Sequence, residues 1–430
     1  MQKMWIGGKF TDSLSKNGTI KVINPATEEV LDEVPKGTKE DAQRAVDEAN
    51  KAFPEWKQIP GVQKAEMFHE IARHLRNKKE EIARILTLEG GKPLKENIDE
   101  IGWVTGCIDY YAEIGRNYRG RVLPSIESAQ LSMVLKEPFG VAVCIVPWNY
   151  PLLLMAWKVA PALAAGNTVI IKPSSVTPLS TLAMAEIFSI LPPGTVNIVT
   201  GSGKEVGDHL VSSDKTHVVA FTGSVEVGKH IAALAAEKVK KVILELGGKD
   251  PFIVCEDADI EVAAKGVAWA AFLNSGQVCT STERIYVHES ISKKFTEALA
   301  EFTKSLRLGP GIEPATDVGP MAGNSYRAKV EKQVDEAIGS GAKILTGGKR
   351  PPQFKKGYFY EPTVITNVNH SMRIMQEETF GPVAPVMTYK NFDEAIELAN
   401  DTQYGLGANI YTYDPMNIKK FYEEVKAILS

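Results

Sequence analysis

Gly140-Val141-Ala142-Val143-Cys144-Ile145-Val146-Pro147-Trp148-Asn149-Tyr150-Pro151 runs from a glycine through an apolar segment into a proline-flanked turn. Residues 141–146 form a continuous apolar run rich in β-branched side chains and closed by a proline, the signature of a buried strand. The sequence stays largely apolar from Phe139 to Gly166, but Pro147, Pro151, Pro161, Asn149 and Lys158 interrupt it. In lipid those residues would leave polar groups unpaired, so a membrane span is rejected in favour of a buried strand followed by a buried helix. Working outward, the same alternation recurs. Short β-branched runs at 168–171, 196–199, 217–221, 242–246 and 252–255 are separated by helical stretches. Such alternation builds a parallel sheet wound on both faces.

On the N-terminal side the pattern is helix-rich after a hairpin-like opening. Residues 41–53 and 63–89 carry helical apolar spacing with charged outer faces. On the C-terminal side a second α/β set follows, with strands near 284–288, 343–345, 383–389 and 406–412. Gly247 and Gly248 break the strand between the two sets and mark a boundary. The polar, Pro-containing segment 120–138 has strand-like halves, fits neither core, and reads as an extended arm. The expected fold class is α/β: a Rossmann-like parallel-sheet domain over 1–119 and 139–246, the arm over 120–138, and a second α/β domain over 247–430. The chain ends at Ile428-Leu429-Ser430, read as the end of a helix with no strand after it.

Composition narrows the function. The 430 residues are 44% apolar and 24% charged with a net charge of −4, without the basic excess of a nucleic-acid binder. The lysines at 78 and 79 are answered by Glu80 and Glu81 and read as a solvated helix face. The opening Met1-Gln2-Lys3-Met4-Trp5 lacks the apolar core of a signal peptide, so a cytoplasmic location is expected. Cys107, Cys144, Cys255 and Cys279 lie far apart, without zinc spacing or a disulfide framework. His69 and His74 are wrongly spaced for one helical face, and no metal is expected.

Among the cysteines, Cys144 and Cys255 sit in apolar strands and Cys107 in a mixed helix, where a thiol is usually inert. Cys279 lies in a polar loop after Asn274-Ser275-Gly276-Gln277-Val278, where backbone and amide donors would lower a thiol pKa and hold an oxyanion. On these grounds alone a reactive role and a buried structural role both stay open. Gly201-Ser202-Gly203-Lys204-Glu205-Val206-Gly207 and Phe221-Thr222-Gly223-Ser224 are strand–glycine–helix junctions of the kind that receives a phosphate. A structural tight turn is an equal reading of the first. Glu245 ends a strand where α/β sheets build sites, though an ion pair with Lys249 would explain it equally.

Six ordered motifs together resemble the aldehyde dehydrogenase superfamily over essentially the whole chain. They are Pro147-Trp148-Asn149-Tyr150-Pro151, Lys172-Pro173-Ser174-Ser175, Phe221-Thr222-Gly223-Ser224, Glu245-Leu246-Gly247-Gly248-Lys249, Gly276-Gln277-Val278-Cys279 and Glu378-Thr379-Phe380-Gly381-Pro382. The resemblance implies that Cys279 attacks an aldehyde carbonyl, with the Asn149 amide and the Cys279 N–H as oxyanion donors. Hydride would leave for NAD or NADP, and Glu245, pictured as a buried carboxylate of raised pKa, would activate water to release the acid. It further implies that the first domain binds the dinucleotide through Trp148, Lys172, Ser175, Gly223 and Ser224, with Glu378 and Phe380 at the nicotinamide end. The aldehyde would be lined by Tyr150, Leu154, Trp157, Leu273, Val278 and Thr280.

Two departures matter. Many NAD-preferring members carry Glu where this chain has Ser175; Ser removes repulsion of a 2′-phosphate, so NADP acceptance is expected. Family members normally continue past residue 430 with a Gly-rich tunnel wall and a strand that pairs with the arm of another subunit. The homo-oligomer usual for the family is therefore in doubt here. The apolar pocket, without Arg or Lys, favours a neutral or aromatic aldehyde over an acidic semialdehyde. Tyr150 and Trp157 would also suit a quaternary ammonium group, although Leu273 leaves that box incomplete. Glu245 argues against the coenzyme-A-acylating branch. The alternative from another class is a truncated, weakly active or inactive dinucleotide-binding relative with a structural role.

Overall fold

The β-branched runs become strands whose burial follows their place in a sheet. The structure is a computed structural model describing residues 2–14 and 18–428. It divides into two units, one of Met1–Ile23, Val30–Glu89 and Asn97–Glu245, the other of Asn24–Glu29, Gly90–Glu96 and Leu246–Ser430.

In the first unit the strands are β1 (Met4–Ile6), β2 (Lys9–Thr11), β3 (Thr19–Ile23), β4 (Val30–Pro35), β5 (Arg121–Leu123), β6 (Ser132–Val134), β7 (Val141–Ile145), β8 (Thr168–Lys172), β9 (Val196–Ile198), β10 (Val218–Thr222) and β11 (Lys241–Glu245). Seven of them form a sheet in the order β11-β10-β7-β8-β9-β1-β2. The strands β7 to β11 pair in parallel, and β1 joins β9 antiparallel, so the opening hairpin becomes one edge. Every residue of β7, β8 and β10 is buried, as parallel strands covered on both faces must be. From β7 the chain winds outward through β8 and β9, then crosses back to lay β10 and β11 on the other side. The topological switch point therefore falls between β7 and β10, where such sheets take their ligands.

Helices Lys39–Gln58 and Pro151–Ala164 pack on this sheet. The Asp41 carboxylate accepts the Thr38 N–H (3.0 Å), satisfying a free donor at the start of the first of them. The stretch 63–89 is two helices, Gly61–Asn77 and Lys79–Gly90, because Asn77 and Lys78 end one and begin the next. Asn competes with the helical backbone for hydrogen bonds and favours such ends. The hairpin β5–β6 is a separate two-stranded sheet with largely exposed side chains.

The second unit holds β12 (Asp250–Val254), β13 (Thr282–His288), β14 (Lys343–Thr346), β15 (Thr363–Thr366), β16 (Val383–Tyr389) and β17 (Asn409–Tyr411). Their order is β14-β15-β16-β13-β12-β17, all parallel except β14. Side chains alternate between two cores, as the two-residue period of a strand requires. Phe252, Val254, Ile285, Val287, Val364 and Ala384 enter one core, while Ile253, Cys255, Tyr286, Ile365 and Val383 enter the other. The run at 252–255 thus belongs to the second sheet, on the C-terminal side of the expected 246/247 boundary. The Gly247-Gly248 break precedes it, and periodicity says nothing about which sheet a strand joins. The helix Pro415–Glu424 is not the end of the described chain. Beyond it Lys426 N–H reaches Asn400 Oδ1 (2.8 Å) and Ile428 N–H reaches the Gly405 carbonyl (2.9 Å). Leu429 and Ser430, like Met1 and residues 15–17, lie outside the described residues.

Candidate active site

In the first unit the sheet register gathers the motif residues. Ile145 is level with Lys172 and with Phe221, and Thr222 is level with Glu245. The Pro147–Tyr150, Lys172–Ser175, Gly223–Ser224 and Glu245 segments therefore issue from the carboxyl ends of four adjacent parallel strands, around the switch point. Lys172 is 6% exposed, its Nζ donates to the Pro173 carbonyl (3.1 Å), and burial pushes its ammonium down to about 8. Ser175 and Trp148 are half-buried, and Asn149 is buried. Ser224 caps the helix Val225–Ala236 by accepting the Val227 N–H (3.4 Å), leaving the first-turn amides at the end of β10. Gly223 donates to the Glu245 carbonyl (3.0 Å). A buried ammonium, a Ser hydroxyl and a helix N-terminus form a donor set that fits the anionic phosphates and ribose of a dinucleotide.

Three side chains of this unit hold these loops in place and escaped the sequence reading. The Glu100 carboxylate accepts the Leu152 and Leu153 N–H groups (3.0 Å each), fixing the helix that follows Asn149. Glu89 accepts Leu179 N–H (2.7 Å) and Ser180 N–H (3.0 Å) after the Lys172 loop, and burial raises it to about 8. The Lys158 ammonium bonds Thr222 at the end of β10 and the Leu154 carbonyl. Nothing in a single sequence marks such distant partners. Tyr150 and Leu154 are buried, Trp157 is 52% exposed, and the Tyr150 ring lies 6.4 Å from that of Trp103.

Glu245 departs from expectation. It is exposed, at the end of an edge strand whose burial alternates, and not a buried carboxylate. Lys249, weighed as its ion-pair partner, bonds Glu283 (2.7 Å).

In the second unit Cys279 sits half-buried in a loop built by unusual backbone. Asn274, Ser275 and Gly276 all have positive φ (48°, 57° and 70°). Gln277, fully buried, ties the loop down by donating to the Asn274 carbonyl (2.9 Å) and accepting the Ala322 N–H (2.9 Å). Ser275 Oγ donates to the Gly319 carbonyl (2.7 Å). Burial and the Asp250 carboxyl push the Cys279 thiol up to about 11, although the Thr280 and Cys279 amides pull it down. The expectation of a lowered thiol pKa is thus corrected: desolvation outweighs the donors. The other thiols are raised as well, Cys107 and Cys255 to about 11 and Cys144 to about 12, by burial.

Leu273, Val278 and Thr280, which flank the thiol, line one cavity of about 330 Å³ together with Trp269, Ala270, Asp250, Gly407, Ala408 and Asn409. The Glu378 segment lies beside the glycines of the Leu246–Lys249 turn. Gly248 N–H donates to Glu378 Oε1 (3.2 Å), and a Cβ on Gly247 would fall 2.6 Å from that oxygen. Burial and the neighbouring Glu283 raise Glu378 to about 7. Phe380 is half-buried, with φ 54°. Among the described residues no helix is long and apolar enough to cross a membrane, and no cluster of three His, Cys, Asp or Glu groups is placed to hold a metal.

A model described as the aldehyde dehydrogenase family matches residues 10–428. The chain belongs to the aldehyde dehydrogenase family. It is 42% identical over 434 aligned positions to a peroxisomal aminoaldehyde dehydrogenase of Malus domestica, covering 99% of this chain and 86% of that protein. A betaine aldehyde dehydrogenase of Bacillus subtilis is 41% identical, with 96% and 85% covered. The crystal structure of a betaine aldehyde dehydrogenase from Staphylococcus aureus in complex with NAD+ superposes with a TM-score of 0.97 at 40% identity, covering 100% of this chain and 86% of that one. This aldehyde dehydrogenase is an oxidoreductase of NAD(P)-dependent aldehyde oxidation, and its α/β fold is the family's. The reading as an inactive structural relative is not favoured.

Proposed function

We propose that this aldehyde dehydrogenase oxidises its substrate by a covalent, hydrolytic route, with Cys279 as nucleophile. The observation that carries the reading is the Cys279 loop itself. Left-handed backbone is held at the non-glycine residues Asn274 and Ser275, and Val278 and Thr280, the neighbours of the thiol, line a cavity sized for a small aldehyde. Cys279 gives up its thiol proton to solvent, the one proton the overall oxidation releases, and the Sγ–carbon bond forms as the carbonyl π bond opens to a thiohemiacetal oxyanion, for which the Asn149 amide and the Cys279 N–H serve as donors. NAD(P)+, when bound, would supply the acceptor for the hydride, leaving an acyl thioester on Cys279. Glu245 then takes a proton from water as it attacks the resulting thioester, and the acid leaves with Cys279 restored. The exposure of Glu245 suits a base that must reach water.

The first unit is the cofactor domain in this reading, through Trp148, Lys172, Ser175, Gly223 and Ser224. The second carries the nucleophile, with Glu378 and Phe380 serving the nicotinamide ribose. The hairpin β5–β6 is an oligomerisation arm: Val122, Ile126, Leu131 and Leu135 are 70%, 97%, 72% and 69% exposed, more apolar surface than an isolated hairpin tolerates in water. Four free cysteines suit the cytoplasm.

The substrate we infer is a cationic amino or quaternary-ammonium aldehyde. The relatives named for aminoaldehyde and betaine aldehyde support this, as does the Trp269 indole in the cavity wall, which supplies an aromatic face where Leu273 does not. A panel of aliphatic, aromatic and cationic aldehydes with NAD+ and NADP+ tests the reading. The cationic members should show the highest kcat/KM, and both cofactors should be used. Ser175→Glu should lose NADP+ turnover and keep that with NAD+. A preference for simple aliphatic aldehydes, or no cofactor shift in Ser175→Glu, would overturn the corresponding assignment.

A further inference from the structure

The second unit contains a buried charge arrangement that none of the assigned roles uses. Glu283, near the start of β13, is 2% exposed, and its carboxylate collects three donors: Lys249 Nζ (2.7 Å), Thr379 N–H (2.7 Å) and Phe380 N–H (2.8 Å). Lys249 is 1% exposed and also donates to Thr379 Oγ1 (3.0 Å). Pairing of β12 with β13 sets Asp250 beside Thr282, which brings the two charged neighbours together. Arg284, fully buried, locks the start of β12 from the same strand by donating to the Lys249 carbonyl (2.7 Å).

A buried ion pair is a poor device for stability, because desolvation consumes most of the attraction. What this one does is geometric. It grips the backbone on the C-terminal side of Glu378 and holds Phe380 at φ 54°, a left-handed conformation that a bulky residue keeps only when its surroundings impose it. The carbonyl of the same Glu378–Thr379 peptide accepts from the Gln333 amide (3.4 Å). The Glu378 side chain is left to reach toward the Gly247-Gly248 turn, where it accepts Gly248 N–H.

We propose that Glu283 is a positioning residue for Glu378: by clamping the Thr379 and Phe380 amides it fixes the carboxylate that receives the nicotinamide ribose. The inference rests on the reading of Glu378 as that carboxylate. Glu283 touches no substrate, and its effect is confined to the nicotinamide end of the cofactor.

Binding titrations of the full chain test it, using NAD+ and NADP+ set against ADP and adenosine 2′,5′-bisphosphate, which lack the nicotinamide ribose. Two variants are needed, since Glu283→Gln leaves Lys249 without its counter-charge. Glu283→Asp keeps the charge but shortens the reach to the two amides. In both, dinucleotide affinity should fall roughly tenfold while the adenosine fragments bind as in the wild type. Steady-state assays should show the loss mainly in the cofactor KM, with kcat changed less. Equal weakening of dinucleotides and fragments, unchanged dinucleotide binding in a folded variant, or loss of the fold in both variants would overturn the proposal. Failure of the underlying reading is distinct: the wild type would bind the fragments no more weakly than the dinucleotides, and Glu378→Gln would leave both unchanged.

Discussion

At the scale of single residues, Cys279 is held as a neutral thiol. Its pKa of about 11 arises from burial and from the adjacent Asp250 carboxyl, so the protonated form dominates at neutral pH. The sign of the consequence is fixed. Thiolate, the reactive form, increases about tenfold for each unit of pH until the folded-state pKa is reached. Alkylation of Cys279 by iodoacetamide in the cofactor-free chain should therefore climb through pH 7 to 10 without levelling. A plateau at or below about pH 8 would show that the donors of the loop win after all. Cys279, Glu378 and Lys172 could be proposed from sequence because each sits inside a contiguous motif. Glu283 could not, because its partners at 249, 379 and 380 are brought together only by folding. A charged Glu283-Arg284 pair at the start of the strand, before Ile285-Tyr286-Val287, was the available signal, since such groups are seldom buried unless partnered.

At the scale of elements, the central feature is the turn from helix Ile260–Phe272 into the Cys279 loop. Gly276 has φ 70°, and an added Cβ would collide with the Gly381 carbonyl, so two motif segments meet there backbone to backbone. Gly276→Ala should destabilise the chain by at least about 2 kcal/mol, read as a lower urea midpoint, and should reduce activity by displacing the thiol. A variant of wild-type stability would mean that the contact is loose. Strands were read well where β-branched runs were long and closed by Pro or Gly, as at β7 and β10. β15 escaped because a four-residue run after Glu361-Pro362 carries too little period to separate it from a loop. The run at 252–255 was recognised as a strand, and the Gly247-Gly248 break before it set it apart from the first sheet, although alternation itself reports burial and not partner.

At the scale of the whole molecule, two α/β units each present one share of the chemistry. In the proposed reading the first offers strand ends that receive the dinucleotide phosphates, and the second offers a thiol whose neighbours Val278 and Thr280 line a cavity. Alternating strands and helices are what the sequence shows of two α/β sets. The segments 24–29 and 90–96, which join the second unit, were not readable, because short connections carry no periodicity of their own. The central claim is covalent aldehyde oxidation by Cys279 with hydrolysis by Glu245, and pre-steady-state NAD(P)H formation tests it most directly. The wild type should turn over continuously, and Cys279→Ala should form no NAD(P)H. Glu245→Gln should release about one equivalent per chain and then stall, with the acyl group found on the Cys279 peptide by mass spectrometry. Steady turnover in Cys279→Ala, or in Glu245→Gln without any acyl adduct, would contradict it.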